Sequence, residues 1–211
     1  MRSKKFLNIK KWARKYAGFF YALIVIPVSS PDQFLALKYS KLKPNEVSVG
    51  KNIVISVENS ASPLFYKVPE VKPYSSIEIE GQTEIVTKLS SEKSDAYFQL
   101  GVIYEGDYRP SWLTKKILPE WIIKIINLND QYGLSDIDFH HFKRESGFEK
   151  KSDSIRDIKL NFIQAGDIDE DGKFRATIKL QNKKILGLWL RADGDDHQGK
   201  FKTTVSKLTL F

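Results

Sequence analysis

The stretch from residue 184 to residue 211 is the feature that most limits how this chain can fold. It contains two runs of alternating apolar residues, 185–191 and 205–211, separated by a polar, acidic segment at 192–199. Side chains alternate between the two faces of a β-strand, so the three leucines of the first run face one way and Trp189 faces the other. We expect the final apolar run to lie inside the fold. The stretch therefore predicts two strands, the last of which closes a layered β-structure.

Shorter runs with similar alternation precede this stretch and are separated by turn residues. They include residues 53–57, 95–105, 158–162 and 174–180. β-Branched and aromatic residues dominate them, as is typical of strands. Gly101 interrupts the longest run, which indicates a bulge or the close approach of a neighbouring side chain. About nine to eleven strands predict an all-β domain, a two-sheet β-sandwich or jelly roll.

One segment departs from the β-pattern and predicts a short helical insertion. Between residues 114 and 130, apolar residues recur at spacings of three and four, namely Ile117, Trp121, Ile122, Ile125 and Ile126. Pro119 weakens the first turn of this segment and Gly133 follows its end, so the firmest helix prediction is residues 119–128. The β-branched isoleucines are also compatible with a strand, which stays the alternative.

The beginning of the chain has the pattern of a secretory signal. Residues 1–15 contain seven cationic and no acidic side chains, and residues 16–28 are an uncharged apolar run followed by two serines. A cationic segment followed by a short apolar run and small residues is typical of a signal peptide. Pro31 disfavours cleavage just before it, so an uncleaved signal anchor is the alternative. A buried N-terminal helix of a cytoplasmic protein is a third interpretation, which the charge bias disfavours.

This pattern sets the predicted domain boundaries and location. We predict a signal peptide or signal anchor at residues 1–30 and a single β-sandwich domain at residues 31–211. The protein is then exported, and is either periplasmic or anchored in the inner membrane facing the periplasm. Contact with the membrane is expected only through residues 16–28, if the leader is retained.

The net charge of +8 does not predict a nucleic-acid partner. Seven of the 34 cationic residues lie in the first fifteen positions, so the remaining 27 nearly balance the 26 acidic residues. The body of the protein therefore lacks the basic surface that phosphate backbones require. The chain has no cysteine, which excludes disulfides, thiolate metal sites, a cysteine nucleophile and a lipidated cysteine.

The C-terminal residues also resemble a known family. Residues 185–196, Ile-Leu-Gly-Leu-Trp-Leu-Arg-Ala-Asp-Gly-Asp-Asp, resemble the end of secreted bacterial proteins grouped as domain of unknown function 3047. Ser-Ala-Ser at residues 60–62 and Asp-Ala-Tyr-Phe at residues 95–98 stand in the order that this family uses. The resemblance spans most of residues 37–211 and departs at residues 107–132. It implies a jelly roll similar to carbohydrate-binding modules and galactose-binding-like domains, without established catalytic residues.

The first of two acidic loops matches half of a calcium-binding pattern. Asp167, Asp169 and Asp171 precede Gly172 as alternate carboxylates, but the position of the bidentate glutamate is Ile178. Asp-Gly between two alternating runs is also a strong hairpin signal, and we favour the hairpin.

The second acidic loop contains Asp193, Asp195 and Asp196. Clustered carboxylates can bind calcium, so these residues are the candidate metal site, although a polar connection between strands explains them as well. We predict no other cofactor.

Glycan recognition requires aromatic surfaces for the C–H face of a sugar and polar side chains for its hydroxyl groups. Residues 104–112 supply this mixture, and Trp189 could join the same face or pack under the helix. The predicted ligand-binding residues are Tyr104, Asp107, Tyr108, Arg109, Trp112 and Trp189. The alternative is that these aromatic rings belong to the sandwich core or pack against the helix.

Motifs for catalysis are weak. The sequence has no Gly-x-Ser-x-Gly elbow, no His-Glu-x-x-His zinc motif and no phosphate-binding loop. His140 and His141 are adjacent, so in a strand they point to opposite faces and cannot bind one metal ion together.

The sequence therefore favours one function and leaves two alternatives. The favoured hypothesis is an exported, non-catalytic β-sandwich of the bacterial envelope that binds a glycan or polysaccharide. The first alternative is a carbohydrate-active hydrolase or lyase on a jelly roll. The second is a membrane-tethered structural or protein-interaction domain whose helix presents a surface to a partner.

Overall fold

The computed structural model describes residues 24–26, 31–92, 95–144 and 151–211. The strands in these ranges are β1 (Ile24–Ile26), β2 (Phe34–Ala36), β3 (Glu46–Val49), β4 (Ile53–Glu58), β5 (Ala61–Lys67), β6 (Ser76–Thr87), β7 (Ala96–Gly106), β8 (Gly133–Lys143), β9 (Lys151–Ile155), β10 (Ile158–Asp167), β11 (Lys173–Lys179), β12 (Ile185–Asp193) and β13 (Lys200–Leu210). The helices are α1 (Trp112–Lys115) and α2 (Glu120–Leu128), and a short 3₁₀ turn, Pro31–Gln33, precedes β2.

The strands form two sheets. One sheet has the order β11-β6-β13-β4-β3, and β1 pairs with the end of β13 on the side opposite β6. The other has the order β2-β5-β12-β7-β8-β10-β9. Neighbouring strands are antiparallel except for β8 and β10, which are parallel. The predicted two-sheet, all-β fold is confirmed.

Consecutive strands repeatedly cross from one sheet to the other, which gives the sandwich its jelly-roll winding. The chain crosses between sheets from β4 to β5, from β6 to β7, from β10 to β11 and from β12 to β13. In one sheet, β13 lies between β4 and β6 and pairs with both. In the other sheet, β12 lies between β5 and β7 and pairs with both. The last two strands therefore hold central positions, one in each sheet. The expectation that the final strand lies inside the fold is confirmed.

Apolar side chains between the sheets form the main core. Phe98 stacks on Phe174 with ring centroids 5.2 Å apart, and Phe142 lies 4.8 Å from the same ring. Leu188 and Leu190 point into this core. Leu186 does not, because a bulge between β12 and β7 turns it to the outer face of the seven-stranded sheet. The expectation that all three leucines share one face is therefore wrong for Leu186.

A second apolar cluster lies on the outer face of the seven-stranded sheet, beneath α2. Ile122, Ile125 and Ile126 of the helix are buried against sheet residues that include Ile103 and Ile137. Pro119 immediately precedes α2, so the helix predicted over residues 119–128 is confirmed within one residue. The insertion between β7 and β8 also contains the single turn α1.

Most of the predicted leader lies outside the described residues, namely residues 1–23 and 27–30. The exception is β1, three residues of the predicted apolar run, which pair with Leu208–Leu210 of β13. Ile26 is buried in the main core. Among the described residues, no helix has both the length and the hydropathy needed to span a membrane.

The first acidic loop is a tight turn, but the strands beside it do not form a hairpin. β10 and β11 belong to different sheets, so residues 168–172 connect the two layers. The Asp169 side chain accepts a hydrogen bond from the Lys173 amide at 2.7 Å, and the Gly172 amide donates to the Asp169 carbonyl at 3.0 Å. Gly172 has φ +79°, and a Cβ there would lie 2.1 Å from the Thr83 carbonyl oxygen. Only glycine fits this position without strain.

Replacement of Gly172 by alanine is predicted to destabilise the protein. A left-handed conformation and a clash with the β6 backbone together should lower the free energy of unfolding by about 2 kcal/mol or more. Gly50→Ala is the matched control, because a Cβ at Gly50 would have no atom within 4 Å. Denaturant unfolding monitored by circular dichroism measures both, and equal stability of the two variants would contradict this account of the turn.

Candidate functional site

The predicted ligand residues that follow one another in the sequence do not form a binding face. Tyr104 has no exposed surface and lies in the main core, where burial raises the pKa of its hydroxyl. A fully buried ring cannot stack on a sugar, so the prediction for Tyr104 is wrong. Asp107 and Arg109 are exposed beyond the end of β7, where Arg109 donates to the Gln131 carbonyl at 2.9 Å. Tyr108 is half-buried and its backbone pairs with Leu134.

Trp112 and Trp189 lie in different surroundings. Trp112, on α1, is 67% exposed, and the Lys116 ammonium lies 4.6 Å from the centre of its ring. Trp189 is 2% exposed and points outward from β12, with its ring 6.0 Å from that of Trp121 on α2. Of the six predicted ligand residues, Trp189 is the one that lines a cavity on the outer face of the seven-stranded sheet.

An aromatic row crosses the outer face of the seven-stranded sheet. Trp189 of β12 lies opposite Gly101 of β7, Gly101 lies opposite Phe139 of β8, and Phe139 lies opposite Phe162 of β10. A Cβ at Gly101 would lie 2.9 Å from the Trp189 Cβ and 3.2 Å from the Phe139 ring. The close approach that Gly101 predicts is therefore confirmed, and the glycine lets the two large side chains lie side by side.

A polar row lies two residues along the same strands. Arg191 of β12 is opposite Gln99 of β7, and Gln99 is opposite His141 of β8. The Gln99 side chain is hydrogen-bonded to the His141 ring, with Nε2 of each residue 2.9 Å apart. The outer face of the seven-stranded sheet therefore carries an aromatic row and, next to it, a polar row. Both lie beside the part of this face that α2 covers.

The loop that carries Tyr39 and Leu42, together with Trp121 of α2, borders these rows and forms a cavity of about 380 Å³ with them. We call it the aromatic groove. Its lining residues are Tyr39, Leu42, Gln99, Trp121, Phe139, Leu160, Phe162, Trp189 and Arg191. The floor, which includes Trp189 and Phe139, is buried, whereas Tyr39, Trp121 and Phe162 are partly exposed at the rim.

Hydrogen bonds fix the loop that carries Tyr39 and Leu42. The amide and hydroxyl of Ser40 donate to the Glu120 carboxylate of α2 at 3.2 and 3.0 Å. At the far end of the loop, the buried Asn45 side chain donates to the Ala192 carbonyl of β12 at 2.8 Å and accepts from the Ser60 hydroxyl at 2.7 Å. The rim is therefore attached both to the helix and to the sheet.

Charges beside the groove are buried or paired. Arg191 forms an ion pair with Asp193, which is 1% exposed. Burial, helped by the positive charges of Lys143 and Arg191, lowers the pKa of His141 to about 3. On the opposite face of β8, burial lowers the pKa of His140 to about 4, against the opposing effect of Asp138. Both histidines are therefore neutral at physiological pH.

A larger hollow of about 700 Å³ lies on the outer face of the six-stranded sheet, but its chemistry differs. Its lining is mostly charged and polar, and its aromatic residue, Phe174, is buried. Glu80 pairs with Arg175 at 3.3 Å and with Lys207 at 3.7 Å. Side chains that already have charged partners offer less to a ligand than the groove does.

The second acidic loop forms a cluster whose composition differs from the prediction. Asp195 and Asp196 lie with Asp95, at the start of β7, so that one carboxylate oxygen from each lies within 4.8 Å of the others. Asp193 is not part of this cluster and pairs with Arg191 instead. Burial raises the pKa of Asp95, and the negative charges of Asp196 and Asp195 raise it further.

No protein-family model and no curated protein matches the sequence. The resemblance to domain of unknown function 3047 therefore stays an expectation from the sequence. Several solved carbohydrate-binding modules are distantly similar in structure. A family 11 module from Clostridium thermocellum, in complex with a β-1,3-1,4-mixed-linked tetrasaccharide, is 8% identical over 90% of this chain and 95% of its own, with a TM-score of 0.42.

Two further modules have similar values. A variant of a family 29 carbohydrate-binding module is 8% identical over 90% of this chain and 91% of its own, with a TM-score of 0.39. A low-affinity xylan-binding module of family 86 from Roseburia intestinalis is 8% identical over 90% and 92% of the two chains, with a TM-score of 0.36.

Sequence inspection missed the polar residues of the groove, although a signal for two of them exists. Gln99 and Arg191 are long polar side chains within otherwise apolar strands. Once the alternating leucines are assigned to the core, both residues must point outward with Trp189. Tyr39, Trp121 and Phe162 are far apart in the sequence, and only the fold brings them together.

The buried histidines predict a loss of stability in mild acid. Unfolded histidine takes up a proton below about pH 6.5, whereas His140 and His141 in the folded protein do so only near pH 4 and 3. Their contribution is complete above about pH 6.5 and is lost progressively as the pH falls. At pH 5 the loss is about 2 kcal/mol per histidine, measured as the free energy of unfolding relative to pH 7.

His141→Gln retains a hydrogen-bonding group beside Gln99 and removes the titration. Its unfolding free energy should therefore fall less steeply between pH 7 and pH 5 than that of the wild type. Identical slopes for the two proteins, or NMR signals showing a protonated His141 ring at pH 5, would contradict the assignment.

Proposed function

We propose that the protein binds a glycan or polysaccharide, and that the aromatic groove is the binding site. The observation that carries this proposal is the combination of three partly exposed rings with a row of polar side chains in one cavity. Its volume of about 380 Å³ lies within the usual range for ligand pockets, which are mostly apolar with a few polar groups that fix orientation.

The rim rings suit the apolar faces of sugars. Tyr39, Trp121 and Phe162 belong to three separate elements and border the same cavity. Trp121 is held edge-on against Trp189 and Phe139 at 6.0 and 5.9 Å. Aromatic rings bury large areas with little loss of conformational freedom, so pre-oriented rings favour stacking on a ring-shaped ligand.

The polar row suits the hydroxyl groups of the same ligand. The Arg191 side chain is 30% exposed and carries five N–H donors. Asp193 anchors it at one end, and its Nε has no hydrogen-bond partner among the described residues. Gln99, at the buried floor, is bonded through its amide nitrogen to His141 and adds an acceptor oxygen to the groove lining. These groups give the groove the directional contacts that glycan recognition requires.

The groove supports binding better than hydrolysis. Glycoside hydrolases of the common kind place two carboxylates beside the scissile bond. Neither an aspartate nor a glutamate lines the aromatic groove among the described residues. The carboxylates beside the groove, Glu120 and Asp193, are bonded to Ser40 and Arg191. The proposal is therefore a non-catalytic binding role.

The cellular setting is part of the proposal. The cationic and then apolar pattern of residues 1–28 supports export to the bacterial envelope, where polysaccharides are available as ligands. The near-neutral charge of the rest of the chain supports a partner other than nucleic acid.

A protein-interaction role is the second candidate, on a different surface from the one that the sequence suggests. The apolar stripe of α2 is mostly buried, so that helix does not present it to a partner. Trp112, Leu113 and Ile117 on and beside α1 are instead 67%, 58% and 65% exposed. These three side chains are the ones to test if the folded protein binds no glycan.

The glycan proposal predicts which tryptophan matters. Trp121→Ala removes a rim ring and should weaken binding to the polysaccharide at least about fivefold, because one stacked aromatic contributes about 1 kcal/mol or more. Trp112→Ala is the matched control and should bind as the wild type does, since Trp112 lies outside the groove. Affinity electrophoresis against a panel of plant and bacterial polysaccharides measures both.

Tyr39→Ala provides a second rim variant in a loop, in case Trp121→Ala lowers stability. Unfolding midpoints of all variants show whether each protein is folded at the assay temperature. No retention of the folded wild type on any polysaccharide would contradict the proposed function. Unchanged retention of both rim variants would place the binding site outside the groove.

A further inference from the structure

Three carboxylates meet where β7 begins and the β12–β13 connection passes over it. Oxygens of Asp95, Asp195 and Asp196 lie within 4.8 Å of one another, and Asp95 is only 2% exposed. Within the described residues, no lysine or arginine forms an ion pair with any of the three, and the basic side chain that acts electrostatically on Asp95 is His197. Like charges this close repel one another, so the arrangement needs a compensating positive charge.

The buried carboxylate of Asp95 provides an independent indication of a ligand. Its Oδ2 accepts a hydrogen bond from the His197 amide at 2.9 Å. Its Oδ1 is buried and has no hydrogen-bond partner among the described residues. A buried acceptor without a partner costs free energy comparable to a lost hydrogen bond, so such an atom in a native protein indicates a bound ion or water.

The chemical type of the three ligand groups indicates which kind of ion they would bind. All three groups are carboxylate oxygens, which hard cations prefer over transition metals that favour nitrogen or sulfur. Asp195 and Asp196 lie on a turn, and calcium accepts the irregular geometry of such a set more readily than magnesium does.

We propose that Asp95, Asp195 and Asp196 bind a calcium ion that links the start of β7 to the loop between β12 and β13. Water and backbone carbonyls supply the other oxygens that calcium takes in proteins. The three carboxylates do not line the aromatic groove, although the charge of Asp195 acts on Tyr39 at its rim. The proposal does not depend on the proposed glycan function. The set differs from the one predicted from the sequence, because Asp95 takes the place of Asp193. Asp193 forms an ion pair with Arg191 instead.

An ion between the start of β7 and the loop after β12 would also have a structural role. The loop of residues 194–199 joins the two sheets, and the Gly199 amide closes it by donating to the Gly194 carbonyl at 2.9 Å. A calcium ion there would tie this crossover to the strand that carries Gln99 and Gly101. Calcium therefore stabilises the end of the sandwich where the polar row of the groove begins.

The test compares the unfolding midpoint of the full-length protein in EDTA and in 10 mM calcium chloride. For the weak affinities typical of extracellular calcium modules, the midpoint should rise by on the order of 5 °C. Sodium chloride at matched ionic strength is the solvent control. A rise in sodium chloride equal to that in calcium would overturn the proposal, because it would show charge screening alone.

The double variant Asp195→Asn, Asp196→Asn identifies the ligands. It removes the repulsion around Asp95, so in EDTA it should be at least as stable as the wild type, and calcium should no longer raise its midpoint. Asp171→Asn, in the other acidic loop, is the matched control and should keep the full rise. No rise for the wild type, or a full rise for the double variant, would overturn the proposal.

Discussion

The fold depends on the hydrogen bonds that β12 and β13 make with their neighbouring strands. Each of the two occupies a central position in its own sheet. β12 pairs with β5 and β7, and β13 pairs with β4 and β6. The chain crosses between the layers at residues 194–199, so this connection joins a central strand of one sheet to a central strand of the other. The main core and the position of the groove follow from that crossover.

The same strand connects the core to the candidate site. On β12, Leu188 and Leu190 point into the sandwich, so Trp189 and Arg191 must point outward. Gly101 on the neighbouring strand leaves room for the Trp189 ring beside Phe139. α2 covers only part of this outer face, and the uncovered part retains aromatic side chains where a solvent-facing sheet would ordinarily carry polar ones.

Much of the fold was predictable from the sequence, because it depends on local periodicity. Alternation identifies β4, β7 and β12, and the spacing of three and four identifies α2. The exceptions have physical causes. The bulge that turns Leu186 outward shifts the register between β12 and β7, and the alternation of residues in the sequence does not show such a shift. Residues 168–172 predicted a hairpin because Asp-Gly stands between two alternating runs. The Thr83 amide of β6 instead donates to the Gly172 carbonyl, and β11 pairs with β6 in the other sheet.

The candidate site was much less predictable, because its residues come from separate elements. The prediction placed the ligand residues together near residues 104–112, whereas the groove draws Tyr39 from a loop, Trp121 from α2 and Phe162 from β10. Trp189 was identified because its strand has a clear pattern. Asp95 was missed as a partner of Asp195 and Asp196 because about 100 residues separate it from them along the chain.

The most direct test of the glycan site is an NMR titration of the ¹⁵N-labelled protein with soluble oligosaccharides, observing the indole N–H signals of its tryptophans. If the aromatic groove is the binding site, the signals of Trp121 and Trp189 shift with ligand concentration while that of Trp112 does not. Shifts confined to Trp112, or to amides such as Gln82 and Thr204 on the outer face of the six-stranded sheet, would contradict this assignment.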